Sequence, residues 1–159
     1  MSRAVTAYIG LGSNLGERRE LIRRAVEALD AVEGVTVVGQ SELYETEPVG
    51  GPQQPRFLNG VVKVECVMGA RELMGELIQI EERLGRKRKG RNLPRPIDLD
   101  LLLWGDTVID EEGLTVPHAR MHERWFVLKP LADVAPDARH PVLGLTTREL
   151  LEKVEADGH

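Results

Sequence analysis

Six stretches whose hydrophobic period alternates between two and about 3.6 residues constrain this chain more than any other feature. Residues 5–11 (VTAYIGL) put Val5, Ala7, Ile9 and Leu11 on one side, as a half-buried strand does. Leu21, Ile22, Ala25, Val26, Leu29 and Val32 then recur at helical spacing, and Gly34 closes that helix. Asn14 and Glu17 have the spacing of a capping box at its start. Residues 35–44 read as a second strand and 57–67 as a third, separated by a Pro- and Gly-rich turn at 46–55. A second amphipathic helix spans about 70–84, with Leu73, Met74, Leu77, Ile78, Ile80 and Leu84 as its stripe and Gly85 as its stop. Residues 97–104 (IDLDLLLW) form the fourth strand. This order predicts an α+β fold with a ferredoxin-like βαββαβ core and both helices on one face. Beyond Gly105 come additional short strands and helices, the last helix starting near Thr146 with a Thr146–Glu149 capping box. Residues 1–159 read as a single domain, without repeats or low-complexity linkers.

Charge narrows the function. The run RKRKGRNLPR at 86–95 carries six Lys/Arg and no acid, which leaves the rest of the chain at −11 against a whole-chain −5. So acidic a body argues against general nucleic-acid binding, which needs a broad basic face. A compact basic run on it is either a solvated surface loop or a clamp for a local polyanion such as a nucleoside triphosphate. The one cysteine, Cys66, rules out an internal disulfide framework and a thiolate zinc site, and it falls in a core row as an inert thiol. With no apolar run of about 18 residues and no leader pattern, the sequence implies a cytoplasmic protein.

Strand alternation locates the candidate site. In the third strand Leu58, Val62, Val64 and Cys66 face the helices, which leaves Phe57, Asn59, Val61, Lys63 and Glu65 on the other side. In the fourth strand Ile97, Leu99, Leu101 and Leu103 form the core row, so Asp98 and Asp100 share the opposite face. On the first strand that face shows Tyr8, Gly10 and Gly12, where missing side chains leave room for a ligand. Two carboxylates spaced two residues apart, roughly 6.5–7 Å at Cα, repel unless a cation lies between them. Mg²⁺ suits the pair, since it takes one or two carboxylates and completes its shell with water and phosphate oxygens. The plainer reading is a pair of edge-strand acids that discourages aggregation; the adjacent basic run favours the cation.

Other motifs carry less. Gly10-Leu11-Gly12-Ser13-Asn14-Leu15-Gly16 has its third glycine one residue too late for a dinucleotide fingerprint and lacks the Lys-Ser/Thr of a P-loop. It reads as a tight strand-to-helix turn. His118 and His122 lack the partners of a zinc site, and His118 is better placed in a loop for phosphate or ribose contact. His140 and His159 read as surface residues.

Taken together, GLGSNLG at 10–16, YETEP at 44–48, QQPRFLN at 53–59, PRPIDLD at 94–100 and VPH at 116–118 resemble the 6-hydroxymethyl-7,8-dihydropterin pyrophosphokinase family of folate biosynthesis. The resemblance spans most of the chain in the family's order. It implies transfer of the β,γ-diphosphate of ATP to the hydroxymethyl group of a reduced pterin, with release of AMP. It implies that Asp98 and Asp100 hold two Mg²⁺ ions bridging the triphosphate. Arg86, Arg88 and Arg95 correspond to phosphate clamps, Arg88 and Arg95 lying on or beside a mobile catalytic loop. Gln79, His118 and Arg124 correspond to further ATP contacts. Thr46, Val49, Phe57, Asn59 and Phe126 correspond to the pterin pocket, where rings stack on a flat bicycle and Asn59 offers a donor and acceptors to its amide-like edge. Arg88, Arg95 and Asp100 are the expected catalytic residues, Asp100 as acceptor of the hydroxyl proton. ATP and the pterin are the expected partners of a monomer or weak dimer that binds neither nucleic acid nor membrane. Three positions depart from the family pattern: Asn92 stands where some members have Trp, Leu93 where Gly is usual, and Ala119 where an aromatic or Pro is common.

Two rival classes share the βαββαβ order. An RNA-recognition module needs two or three stacking aromatics on the open face, for which only Tyr8 and Phe57 are available. A regulatory or assembly domain without chemistry gives no reason for Asp98 and Asp100 to follow a basic run.

Overall fold

The strand that organises the sheet is the first, β1 (Val5–Ser13), which pairs on both flanks. The computed structural model describes residues 4–46, 56–85 and 97–158. β1 is followed by α1 (Arg18–Asp30), β2 (Val35–Gln40), β3 (Tyr44–Thr46), β4 (Phe57–Cys66), α2 (Ala70–Arg83) and β5 (Asp98–Trp104). After these come a hairpin of β6 (Ile109–Glu111) and β7 (Leu114–Val116), then α3 (Trp125–Val134) and α4 (Thr147–Ala156). The sheet order is β2-β4-β1-β5, all antiparallel, with β3 also on β4. With β2–β3 taken as one interrupted strand, this is the expected ferredoxin-like arrangement.

One face of the sheet carries the helices. Ile9, Leu11, Val62, Val64, Cys66, Leu99 and Leu101 pack against Ile22 and Leu29 of α1 and Leu73, Leu77 and Ile80 of α2. Gly34 and Gly85 follow these helices at φ +91° and +100°, the left-handed conformation that stops a helix cheaply. The other face is not open along its whole length. Tyr8, Val61, Leu102 and Leu103 form a second core with Met121, Leu131 and Ala135, so α3 covers one half of that face. α4 backs α3 through Leu128, Leu150 and Leu151.

Several sequence expectations need correcting. The Asn14–Glu17 capping box does not form, because β1 runs on to Ser13 and the N-cap of α1 is Glu17, with no side-chain cap. The second strand breaks after Gln40: Ser41 Oγ accepts the Val61 amide at 2.8 Å, and Leu43 folds over Gly60, where a Cβ would lie 2.7 Å from its methyl. A register shift opposite Tyr8/Ile9 pairs Tyr8 with Leu103 but Ile9 with Leu101. This bulge reverses the alternation, so Leu103 joins the α3 side and Trp104 turns to the helix side. Ile78 is exposed, while Glu81 occupies a buried place on α2. The Thr146–Glu149 box does form, each residue capping the other at 3.1 and 2.9 Å.

His140, expected at the surface, is buried; its Nδ1 accepts the amides of Val142 and Leu143 at 3.2 and 3.1 Å. Burial first, and the His122 ring 6.0 Å away second, hold this imidazole below its ordinary 6.5. The unfolded chain therefore binds a proton that the folded one resists, and stability falls as pH drops below about 6.5. Urea unfolding at pH 7.5 and 5.5 should show this loss. His140→Asn, whose Oδ1 can replace the acceptor, should show a smaller one.

Candidate active site

Among the described residues, the half of the second face that α3 does not cover is built from one row across three strands. Gly12 lies between Asn59 on β4 and Asp98 on β5; Gly10 lies between Val61 and Asp100. Alternation dictates this placement. With Ile9, Leu11, Leu99 and Leu101 committed to the helix side, Asp98 and Asp100 must project from the other. Asp98 is half-buried and Asp100 exposed. The glycines do different work. A Cβ on Gly10 would meet the Leu102 methyls at 3.6 Å, so Leu102 takes up the room expected there. A Cβ on Gly12 would meet Asn59 Oδ1 at 3.0 Å and Phe57 Cδ1 at 3.6 Å, so the amide and the ring converge over Gly12.

β3 adds a wall. Thr46 pairs with Phe57, and its Oγ accepts from Asn59 Nδ2 at 2.7 Å, which fixes the amide with its oxygen toward Gly12. The Tyr44 hydroxyl donates to Asp133 of α3 at 2.7 Å, and its ring meets Trp125 edge-on at 5.9 Å. Burial and then the Asp133 carboxylate push the Tyr44 phenol up to about 12, so it remains a donor. Arg18 binds Glu45 at 2.8 Å and the Arg56 carbonyl at 2.9 Å, tying α1 to the chain on either side of the pocket. Phe126 lies in the first turn of α3 with the Arg124 guanidinium 5.5 Å from its ring, so these two expected site residues lie together. His118 sits beside β5, its amide donating to Leu102 O at 3.0 Å and its Nδ1 facing the Arg120 amide at 3.4 Å. Gln79 is exposed on α2, in the layer on the opposite face of the sheet. Val49, Arg86, Arg88, Arg95, Asn92 and Leu93 lie outside the described residues, as does His159.

Among the described residues no group of three His, Cys, Asp or Glu could cage a metal. Two carboxylates on one exposed strand face nevertheless fit Mg²⁺, an ion that takes few protein ligands and leaves its remaining positions to water and phosphate. His122 and His118 share no site: His122 lies 3.6 Å from Glu123 and beside His140. Tyr8, one of two candidate stacking aromatics, is covered by α3, which removes the platform an RNA-recognition module requires. The Cys66 thiol is buried and its pKa raised by that burial, as an inert core residue. Sequence reasoning missed Asp133, Arg18 and Glu81. Each acts through a contact distant in sequence, and Glu81 is hidden in the charged run Glu81-Glu82-Arg83.

Residues 8–136 match the family described as 7,8-dihydro-6-hydroxymethylpterin-pyrophosphokinase (HPPK). The chain is 48% identical over 128 residues to the 2-amino-4-hydroxy-6-hydroxymethyldihydropteridine pyrophosphokinase of Bacillus subtilis, covering 80% of this chain and 77% of that one. It is 42% identical over 152 residues to the folic acid synthesis protein fol1 of Schizosaccharomyces pombe, covering 96% of this chain. It spans only 21% of that fungal protein's length. The fold resembles that of Plasmodium falciparum HPPK-DHPS crystallised with pteroate, with a TM-score of 0.75 at 17% identity, over 96% of this chain and 43% of that one. No helix among the described residues is long and apolar enough to cross a membrane.

The Thr46–Asn59 bond should be measurable. Thr46→Val keeps the shape but removes the acceptor, leaving a largely buried amide N–H unsatisfied. Denaturant unfolding should show a loss of about 1–3 kcal/mol with an unchanged m-value.

Proposed function

This chain belongs to the 7,8-dihydro-6-hydroxymethylpterin-pyrophosphokinase family, a family of folate-pathway diphosphokinases, and we propose how its residues divide the work. The reaction moves the β,γ-diphosphate of ATP to the pterin hydroxymethyl group and leaves AMP. The observation that supports the residue assignment is the row Asn59–Gly12–Asp98, which sets an amide next to a carboxylate on one sheet face.

Phe57 and Phe126 sandwich the flat pterin, and Asn59, held by Thr46, reads its amide-like edge. Val49 is assigned to pterin binding as well, by the family resemblance alone. Asp98 and Asp100 would hold two Mg²⁺ ions, which would supply neutralisation of the triphosphate charge for in-line attack at the β-phosphorus. His118 and Arg124 contact the nucleotide, and Arg86, Arg88 and Arg95 clamp its phosphates; Arg88 and Arg95 act in catalysis. Asp100, the exposed member of its pair, accepts the hydroxyl proton. Positioning and charge neutralisation supply most of the rate, since no covalent intermediate is required.

Chromatography of nucleotides after mixing the protein with ATP tests this reading. AMP should form only when both Mg²⁺ and 6-hydroxymethyl-7,8-dihydropterin are present; ADP would refute diphosphoryl transfer. Asp98→Asn and Asp100→Asn should each lower kcat/KM by about 10²–10³-fold. An Asp100→Asn protein with full turnover would remove Asp100 as proton acceptor.

A further inference from the structure

α2 packs Ala70, Leu73, Leu77 and Ile80 inward, and beside them a carboxylate, Glu81, that is only 7% exposed. A carboxylate buried in an apolar layer is costly unless it is well hydrogen-bonded. Glu81 Oε2 accepts the backbone N–H of Leu99 at 2.7 Å. Leu99 is the residue between Asp98 and Asp100, on β5, the strand at the end of the order β2-β4-β1-β5. In an antiparallel ladder, alternate residues turn their N–H groups toward the partner strand. The Leu99 N–H is met by Glu81, so Asp98 and Asp100 are the residues whose backbone groups face Gly12 and Gly10 of β1.

The peptide plane carrying that N–H joins Asp98 to Leu99. Fixing it fixes the direction of the Asp98 Cα–Cβ bond and, through the next plane, that of Asp100. An edge peptide bonded only to water could rock, and the two carboxylates would move with it. Resting on the metal-site reading above, we propose that Glu81 is a positioning residue. It reaches from the helix layer to the edge of β5 opposite β1, pins the main chain between Asp98 and Asp100, and sets the separation at which these carboxylates receive divalent cations. Its bond is short, at 2.7 Å, which suits a brace more than a simple filler of space.

Glu81→Gln, Glu81→Met and Glu81→Asp separate the possible roles. Gln keeps the acceptor without the charge, Met keeps the length without an acceptor, and Asp keeps the charge but falls one methylene short. Mn²⁺ binding would be titrated by electron paramagnetic resonance in the presence of a non-hydrolysable ATP analogue, well below each variant's melting temperature, with Asp98→Asn as the control. Glu81→Met and Glu81→Asp should weaken Mn²⁺ by about tenfold, and Glu81→Gln by no more than about twofold. Pterin affinity should change little in all three. If Asp98→Asn weakens Mn²⁺ but Glu81→Met and Glu81→Asp do not, the positioning role is wrong while the metal site stands. If Asp98→Asn leaves Mn²⁺ binding unchanged, the metal-site reading fails and the proposal with it. Should Glu81→Met fail to fold, the contrast between Glu81→Asp and Glu81→Gln decides the matter alone.

Discussion

The pairing of β1 with β4 and β5 in one fixed register is the constraint from which the rest of the molecule follows. Side chains on a strand alternate with a period of two, so a one-residue slip would exchange faces completely. A slipped β5 would bury Asp98 and Asp100 under α2 and expose Leu99 and Leu101, which are now at most 4% exposed. Each buried leucine favours the native register by roughly 1.5–3 kcal/mol, and the misplaced carboxylates would add a desolvation penalty. The placement of the candidate site is thus enforced by the core on the other side of the sheet.

What limits the site's extent is the second core. α3 covers Tyr8, Val61, Leu102 and Leu103, and the bulge in β5 is what makes this possible: it delivers two successive leucines to the same face. Without it Leu103 would point at α2 and Trp104 at α3. The uncovered end is then walled by β3, and Tyr44, Asp133 and Trp125 brace β3 against the start of α3. Phe126 sits beside Trp125 in sequence, so one contact region positions both the Thr46 wall and the Phe126 side of the pocket.

The elements legible in the sequence were those with long, uninterrupted periods. β1, β4, β5, α1, α2 and the Thr146-capped α4 follow from apolar spacing and cap chemistry alone, and so does the face shared by Asn59, Asp98 and Asp100. The illegible features arise where the pattern is degenerate or the partner is remote. Leu101-Leu102-Leu103 reads equally well with or without a bulge, and only pairing to Tyr8 and Ile9 decides. The break after Gln40 depends on Leu43 needing the space over Gly60, seventeen positions away in sequence. α3 contains Pro130, a residue that argues against a helix until tertiary packing of Leu128 and Leu131 overrides it. Asn14 has a good capping side chain but is buried just past the end of β1, where packing prevails over local propensity.

A body at −11 repels a triphosphate, while the basic run at 86–95 attracts one, and Arg95 precedes Asp98 by only three residues. On the proposed reading the polyanion lies between arginines and aspartates that follow each other directly in the chain. Arginine can bind the phosphates without help; the aspartates cannot, and require divalent cations between like charges. That requirement gives the rigidity of β5 its importance. The spacing of two carboxylates decides how well they share cations with phosphate, and a strand bonded to β1 on one edge and to Glu81 on the other holds that spacing from both sides. The acid within the helix layer is therefore consistent with the acids on the open face: it contributes a bond to the main chain, and leaves the cations to Asp98 and Asp100.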